Sequence, residues 1–411
     1  MQHKPLLIDL GGLSPCCTDH ALEALAKSIS GEDGQHDVWE PHHSPFLQAL
    51  IEKFTARGLT MLGNVQASLK LWAEGKMVSP HKAPIPKPAP YVQNWSVEQA
   101  QLAHLYLTSL PADQFLFDDW SLLVDYLLHT LMPEEVLRTE AEWLAVRSSI
   151  MGRVQAHMNG KAISVLQLDP ALLAMPLTVA GAQKAFNFGS KMDAVMEFGK
   201  ARCAELLVDL SNTARKKIKR VILEHTFKKM QGDPIATKEV LQSKLFDEFA
   251  TLNRDWRRIA VTEAGENANQ GLIMTLTPGS SVKRIEQYKG ACPFCKRIDG
   301  VVMKVVAADA PEKDGDKEVW PGKNNVGRSA APRKRVGDEL VERVPSELYW
   351  IPAGTVHPHC RGTWHLMPAA SVHDDPDFQS WLDKHLHQNR ASPTTGNGPT
   401  PAPPTGLLET P

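Results

Sequence analysis

The 411-residue chain reads as mainly α: multi-helix N-terminal and central regions, then a small α+β subdomain and a disordered tail. Three observations predict this. Apolar residues recur at threes to fives over most of 44–276, the period of helices with one buried face. After about 278 the apolar runs shorten and become β-branched, as in "VVMKVVAAD" (301–309), and Gly and Pro become frequent, the texture of short strands and loops. From Ala391, "ASPTTGNGPTPAPPTGLLETP" has too little apolar surface to offset the entropy of ordering it, so 391–411 is expected to be disordered.

Residues 1–43 show little periodicity and are assigned low order, which makes 1–78 a partly helical N-terminal region. Its helix is expected over 44–75, on Phe46, Leu50, Phe54, Leu59 and Leu62. "SPHKAPIPKPAPY" (79–91) holds five prolines and predicts an extended linker, placed at 79–95, because proline fixes φ and removes a donor. Ser96 with Gln99 predicts a capping box that opens a helical region over 96–180. Helices are expected at 113–131 and at 133–158, the latter starting on Pro133 with Glu134 and Glu135 in its first turn. Pro170 and Pro176 are expected to break the pattern.

The central region, 181–277, predicts one long helix from about 181 to about 230. "GDPIATKEV" (232–240) interrupts it, with Pro234 and Thr237 as turn and cap. Helices over 236–250 and 251–276 follow. Cys203 lies in a helical pattern and reads as a small buried apolar residue. In 278–390, strands are expected at 301–307 and 346–351, a long polar loop at 311–339 and a short helix at 375–388. No internal repeat is visible.

Composition limits the function classes. A formal net charge of -2 supplies no global field toward nucleic acid or membrane, so any such contact is local. Six cysteines in this length do not form a secreted disulfide scaffold, and the first residues lack a signal-peptide core. The expectation is folding in a reducing cytoplasm, with Cys16 and Cys17 unpaired. The most apolar window, "AISVLQLDPALLAMPLTVAGA", is interrupted by Gln167, Asp169 and Pro170 and does not predict a membrane span.

The chemistry concentrates near the C-terminus. Cys292 and Cys295 flank a Pro-Phe pair in "YKGACPFCKRIDG" (288–300), and a lone C-x-x-C says little. Downstream, "TVHPHCRGTW" (355–364) offers His357 and Cys360 as H-x-x-C, completing a Cys3His set. Each half is a tight-turn bite that aims two side chains at one point. Thiolates and imidazole suit Zn2+ better than Mg2+ or Ca2+, and four protein ligands leave no open position. The expected role is a structural Zn2+ that staples the α+β subdomain as a zinc knuckle. His359 competes with His357 for the fourth place, and His365 is a weaker alternative.

Just upstream, in "TLNRDWRRIAVTEAGENANQGLIMTL", the apolar stripe passes through Leu252, Trp256, Ile259 and Met274. Glu263 falls near its middle, with Asn267 close by. A carboxylate there must be paired or neutralised. It reads as a structural Glu tied to an Arg or to loop amides; the catalytic alternative lacks a second carboxylate or nucleophile at readable spacing.

"RIAVTEAGENANQG", "CPFCKRIDG" and "HPHCRGTW" together resemble the minor head (head-morphogenesis) proteins of tailed phages, the Mu-type minor capsid proteins. By position, Thr262, Glu263, Asn269 and Gly271 match the family's helix motif. Cys292 and Cys295 match its first knuckle, and His357, Pro358, Cys360 and Arg361 its second. Val261 stands where the family often has Arg, and Gly362 where it usually has a last Cys. The resemblance covers roughly 190–365. It implies a non-enzymatic, low-copy virion protein of the head, assembled in the host cytoplasm. The implied partners are the portal protein and the major capsid protein, with packaged DNA as a candidate contact and neither membrane nor small-molecule substrate.

Two basic stretches are candidate nucleic-acid contacts. Lys216, Lys217, Lys219 and Arg220 fall in "RKKIKRVILEHTFKK" (215–229), and Arg333, Lys334 and Arg335 in "RSAAPRKR" (328–335). The plainer reading of both is a solvated charged face. Trp320 is expected to anchor its loop on the zinc unit. The competing functional expectation is a zinc-knuckle nuclease acting on DNA through His359, His365, His373 and Asn324, although no compact His–Asn–His spacing is present. A nucleobase deaminase would need an H-x-E, and the sequence has none.

Overall fold

The computed structural model describes residues 45–387, apart from 80, 82, 90, 92–94, 112–113, 159–164 and 289. The expectations for 1–43 and for the tail from Ala391 lie outside the described residues. Among the described residues eight helices come first: α1 (Pro45–Ala73), α2 (Val97–Ser109), α3 (Phe117–Leu131), α4 (Glu134–Met158), α5 (Val165–Ala174), α6 (Val179–Phe186), α7 (Ser190–Met230) and α8 (Lys238–Thr275). The chain is mainly α, as its periodicity predicts, with its small sheet confined to the C-terminal part. Among the described residues no helix is long and apolar enough to cross a membrane.

Local signals set several helix ends. Ser96 Oγ accepts from Gln99 N at 3.2 Å while the Gln99 side chain accepts from Ser96 N at 2.8 Å, the capping box at the start of α2. Thr237 caps α8 by accepting from Val240 N at 3.4 Å. The described residues of the Pro-rich segment are neither helix nor strand, and they lie along α2 and α3. Ser79 N donates to Thr108 O at 2.8 Å, and Lys87 pairs with Asp119 at 2.8 Å.

Three helix boundaries depart from expectation. Pro170 does not break the chain, because α5 runs through it. The expected helix over 181–230 is split at Asn187 and Gly189, which take positive φ of 48° and 80°. This turn lets Phe186 and Phe188 stack on each other at 4.8 Å and meet Phe378 edge-on, at 5.3 and 5.8 Å. Conversely, the two helices expected over 236–250 and 251–276 are one, because no Gly or Pro breaks the chain between Lys238 and Gly265.

α7 and α8 have 41 and 38 residues, so each is roughly 60 Å long. On α7 a stripe from Met192 through Cys203, Leu210 and Ile218 to Ile222 is buried. From Ile259 onward α8 is buried almost all round, against α4, α7 and the C-terminal unit. Small residues permit this. A Cβ on Gly152 of α4 would lie 1.8 Å from the Ala268 carbonyl oxygen, and one on Gly271 would lie 2.2 Å from that of Ser149. One hydrophobic core joins Leu50 and Phe54 of α1 to Trp256 of α8, and Trp256 Nε1 donates to Phe54 O at 3.2 Å.

The C-terminal unit holds β1 (Ser281–Ile285), α9 (Pro293–Ile298), β2 (Val302–Val305), β3 (Glu318–Val319), β4 (Arg333–Val336), β5 (Glu339–Glu342), β6 (Thr363–Leu366) and α10 (Pro376–Leu382). The main sheet has the order β3-β2-β1-β6, antiparallel except for β2 with β3, while β4 and β5 form a separate hairpin. Val282, Met303, Val305, Val319, Trp364 and Leu366 bury against Leu272, Ile273 and Leu276 at the end of α8. The strand expected at 301–307 is β2. The one expected at 346–351 is instead a 3-10 turn, Pro345–Glu347, followed by a single bridge from Leu348 to Ser329. The polar loop at 311–339 contains β3 and β4. α10 falls within the helix expected at 375–388, and its Phe378 and Leu382 return to the bundle core.

Candidate metal centre

Cys292 is the N-cap of α9, and its Sγ accepts from Cys295 N at 3.4 Å. One turn of chain thereby aims both thiols the same way. The second bite is a turn in which Cys360 N donates to His357 O at 3.0 Å, with His359 in the left-handed region at φ 65°. The fold brings the two bites together: His357 Nε2 lies 3.2 Å from Cys292 Sγ and 3.4 Å from Cys295 Sγ. His357 Nδ1 lies 2.7 Å from Pro358 O, a contact that fixes the ring with Nε2 toward the sulfurs. The donor atoms of Cys292, Cys295 and His357 lie within 4.8 Å of one another, and so do those of Glu286, Cys295 and Cys360. The Cys292/Cys295/His357/Cys360 cluster could therefore hold a metal ion; its three cysteines are buried and none is in a disulfide.

The electrostatics favour positive charge among these sulfurs. Burial works against a charged His357, yet its bond to Cys292 and the charge of Cys360 lift its pKa to about 9. Burial also opposes ionisation of Cys360, but Cys295, Arg284 and His357 hold its thiol well below the usual range. Hydrogen bonds with Cys292 and Cys360, together with burial, push Cys295 far up. Ionising all three thiols in one buried place calls for a cation, as thiolate-metal sites supply.

Of the competing histidines, His359 is held through its backbone by α8. Its backbone N–H donates to Thr262 Oγ1 at 3.0 Å, and burial with the nearby Arg361 and Arg258 presses its pKa down to about 3. His365 and His373 are exposed. None of the three belongs to a metal-holding group among the described residues.

Sequence reasoning missed Arg284 and Glu286. Arg284 is fully buried; its Nε donates to Glu286 at 2.7 Å, Nη1 to Gly354 O at 3.0 Å and Nη2 to Cys360 Sγ at 3.6 Å. The guanidinium also lies over the Trp364 ring at 5.1 Å. Burial lifts the Glu286 carboxyl to about 7, against the pull of Arg284. The alternation of β1 carried the signal: Val282 and Arg284 share its inward face, and Glu286 continues the period.

α8 supports the centre from behind. Glu263 accepts from Arg202 Nε at 2.9 Å and Nη2 at 2.8 Å, the structural pairing expected of it, and Arg202 Nη1 reaches Glu266 at 3.4 Å. Thr262 receives the His359 amide, Glu266 accepts from Thr355 N at 2.6 Å, and Asn269 Nδ2 donates to Gly362 O at 2.8 Å. Gln270 accepts from Gly322 N at 2.8 Å. Positions 262, 266, 269 and 270 share one helix face and form a polar rail: the first three grip the backbone around the second bite, and Gln270 grips the loop at Gly322. Gly271 lies against α4 instead. Glu266 and Gln270 were also missed, although their i, i+4 spacing from Thr262 and Glu266 was readable.

The basic candidates are divided between two units. Lys219 and Arg215 pair with buried Asp125 at 2.7 and 3.1 Å. Lys217 and Arg220 lie 3.6 and 3.9 Å from Glu248, while Lys216 is exposed. On the hairpin, Arg333 faces Glu342 at 3.8 Å, Lys334 pairs with Glu347, and Arg335 is exposed. Trp320 meets Trp350 edge-on at 5.4 Å and, with it, boxes the buried Lys323 ammonium at 4.8 Å from each ring. No family model matches the chain, and neither does any curated protein or solved structure.

Proposed function

We propose that this chain is a structural virion protein, a minor head component of a tailed phage acting in head morphogenesis. In this reading it associates with the portal protein and the inner face of the capsid, assembles in the host cytoplasm, and touches packaged DNA through its exposed basic residues. Its C-terminal unit is held by one Zn2+ on Cys292, Cys295, His357 and Cys360, a donor set suited to zinc and closed to substrate. Such an ion contributes on the order of 10 kcal/mol to folding, enough to compensate for a small sheet core.

The observation that carries the reading is the polar rail. The helix motif and the second knuckle, separate in sequence, are hydrogen-bonded partners through Thr262 with His359 and Asn269 with Gly362. The stretches that bear the resemblance thus act as one device. Co-expression with portal and major capsid proteins tests it: the chain is expected in purified heads, and its absence from them overturns the proposal. Elemental analysis should find about one zinc per chain, lost in Cys292→Ser and in Cys360→Ser. Cleavage of DNA by the purified protein in Mg2+ or Mn2+ would instead favour the nuclease reading.

A further inference from the structure

The carboxylate of Glu286 reaches into the metal centre. Its oxygens lie 3.8 and 3.9 Å from Cys360 Sγ. A Cβ on Gly362 would stand 1.9 Å from that carboxylate, so the bare backbone at 362 is what lets it approach the knuckle. Donors on a tetrahedral ion, bound at about 2.0–2.3 Å, stand roughly 3.3–3.8 Å apart. The S–N separations at His357 and the S–O separations between Cys360 and Glu286 are 3.2 to 3.9 Å. In both triads, Cys292/Cys295/His357 and Glu286/Cys295/Cys360, all donor atoms lie within 4.8 Å of one another, and the triads share Cys295.

We propose that Glu286 is a fifth donor of this centre, a carboxylate that takes the fourth place on the ion, beside the three thiolates, when His357 leaves it. The proposal rests on the reading that the cluster binds metal. In the exchange the Nε2–metal bond breaks, the imidazole keeps its lone pair, and a carboxylate oxygen–metal bond forms. The oxidation state does not change, and a proton carried by the Glu286 carboxyl passes to the freed imidazole. Arg284 sets the resting position: it holds Glu286 at 2.7 Å while donating to Cys360 at 3.6 Å, which keeps the carboxylate one step from the ion. The Glu286 amide, donating to Asp299 at 2.8 Å, fixes the backbone behind it.

The test titrates full-length, metal-free protein with Co2+, whose d–d and thiolate charge-transfer bands report the donors. Wild type should bind about one ion per chain. His357→Ala should still bind one, with shifted d–d bands and affinity weaker by about 10- to 100-fold. The double variant His357→Ala/Glu286→Gln should bind none. If His357→Ala is as empty as Cys360→Ser, or if the double variant binds like the single one, the proposal is overturned. An empty wild type would overturn the metal reading itself, so the two failures are distinguishable. If His357→Ala does not fold, Glu286→Gln alone decides. Gln keeps an oxygen for Arg284 but ligates poorly, so Zn2+ should pass to a chelator about 10-fold faster than from wild type. An unchanged rate overturns the proposal.

Discussion

Burial lifts the Glu263 carboxyl to about 7, with Arg202 drawing it down and Glu266 raising it further; the unfolded chain titrates it near 4.5. The folded state therefore keeps a proton that the unfolded state releases. This contribution to stability is full below about pH 4.5 and is lost as pH rises through about 7. Glu263→Gln should flatten the fall in stability over that window by about 1–3 kcal/mol, measured as urea midpoints at several pH values. Equal slopes in the two proteins would refute the assignment. Lys219→Ala should cost about 1–3 kcal/mol, because Asp125, 4% exposed, loses its 2.7 Å partner, whereas Lys216→Ala should stay within about 0.5. The sequence showed that Glu263 lies on a buried stripe, since helical period alone decides that. It did not show Arg202 as the partner, which lies 61 residues away and is brought in only by the pairing of two long helices.

At the scale of elements, a glycine at the crossing of α4 and α8 and one on the open side of α1 give a pair of predictions with opposite signs. Gly152→Ala places a methyl 1.8 Å from a backbone oxygen and should cost about 1–3 kcal/mol or more, because neither helix can yield. Gly63→Ala, on the exposed side of α1 with nothing within 4 Å, should stabilise by about 0.5–1 kcal/mol. Urea midpoints of the two variants moving the same way would contradict the packing described. Helices with caps and breakers were legible, as Ser96 and Thr237 illustrate. The break before α7 was not, because Asn187 answers to ring packing with Phe378, far along the chain. The short strands β1 and β6 were missed for a related reason: four or five residues carry too little period, and Arg284 breaks the apolar alternation.

Over the whole molecule, α8 belongs to two cores at once. Phe249 to Ala268 line the bundle, and Leu272 and Ile273 line the sheet. The Cys3His set was legible because each bite is local; its surroundings were not, because Arg284, Glu286 and the rail meet only after the sheet forms. If an ion holds the knuckle, chelation should loosen the C-terminal unit before the bundle. Limited proteolysis should then cut first within 288–362, while most of the far-UV helical signal persists. Simultaneous loss of both would contradict this order.

The rail also has a consequence in time. Glu266, Asn269 and Gln270 sit in a nearly dry interior, and their partners are Thr355, Gly362 and Gly322. Asp375, which pairs with Arg153 of α4, comes later still. During synthesis α8 emerges from the ribosome well before any of these. A nascent chain ending near 320 would hold α1 to α8 without α10, and Glu266, Asn269 and Gln270 of α8 would lack their partners in the C-terminal unit. Closure must wait for the last stretch of translation, so a stalled product should remain open, bind hydrophobic dyes and recruit chaperones, whereas the full-length chain does not.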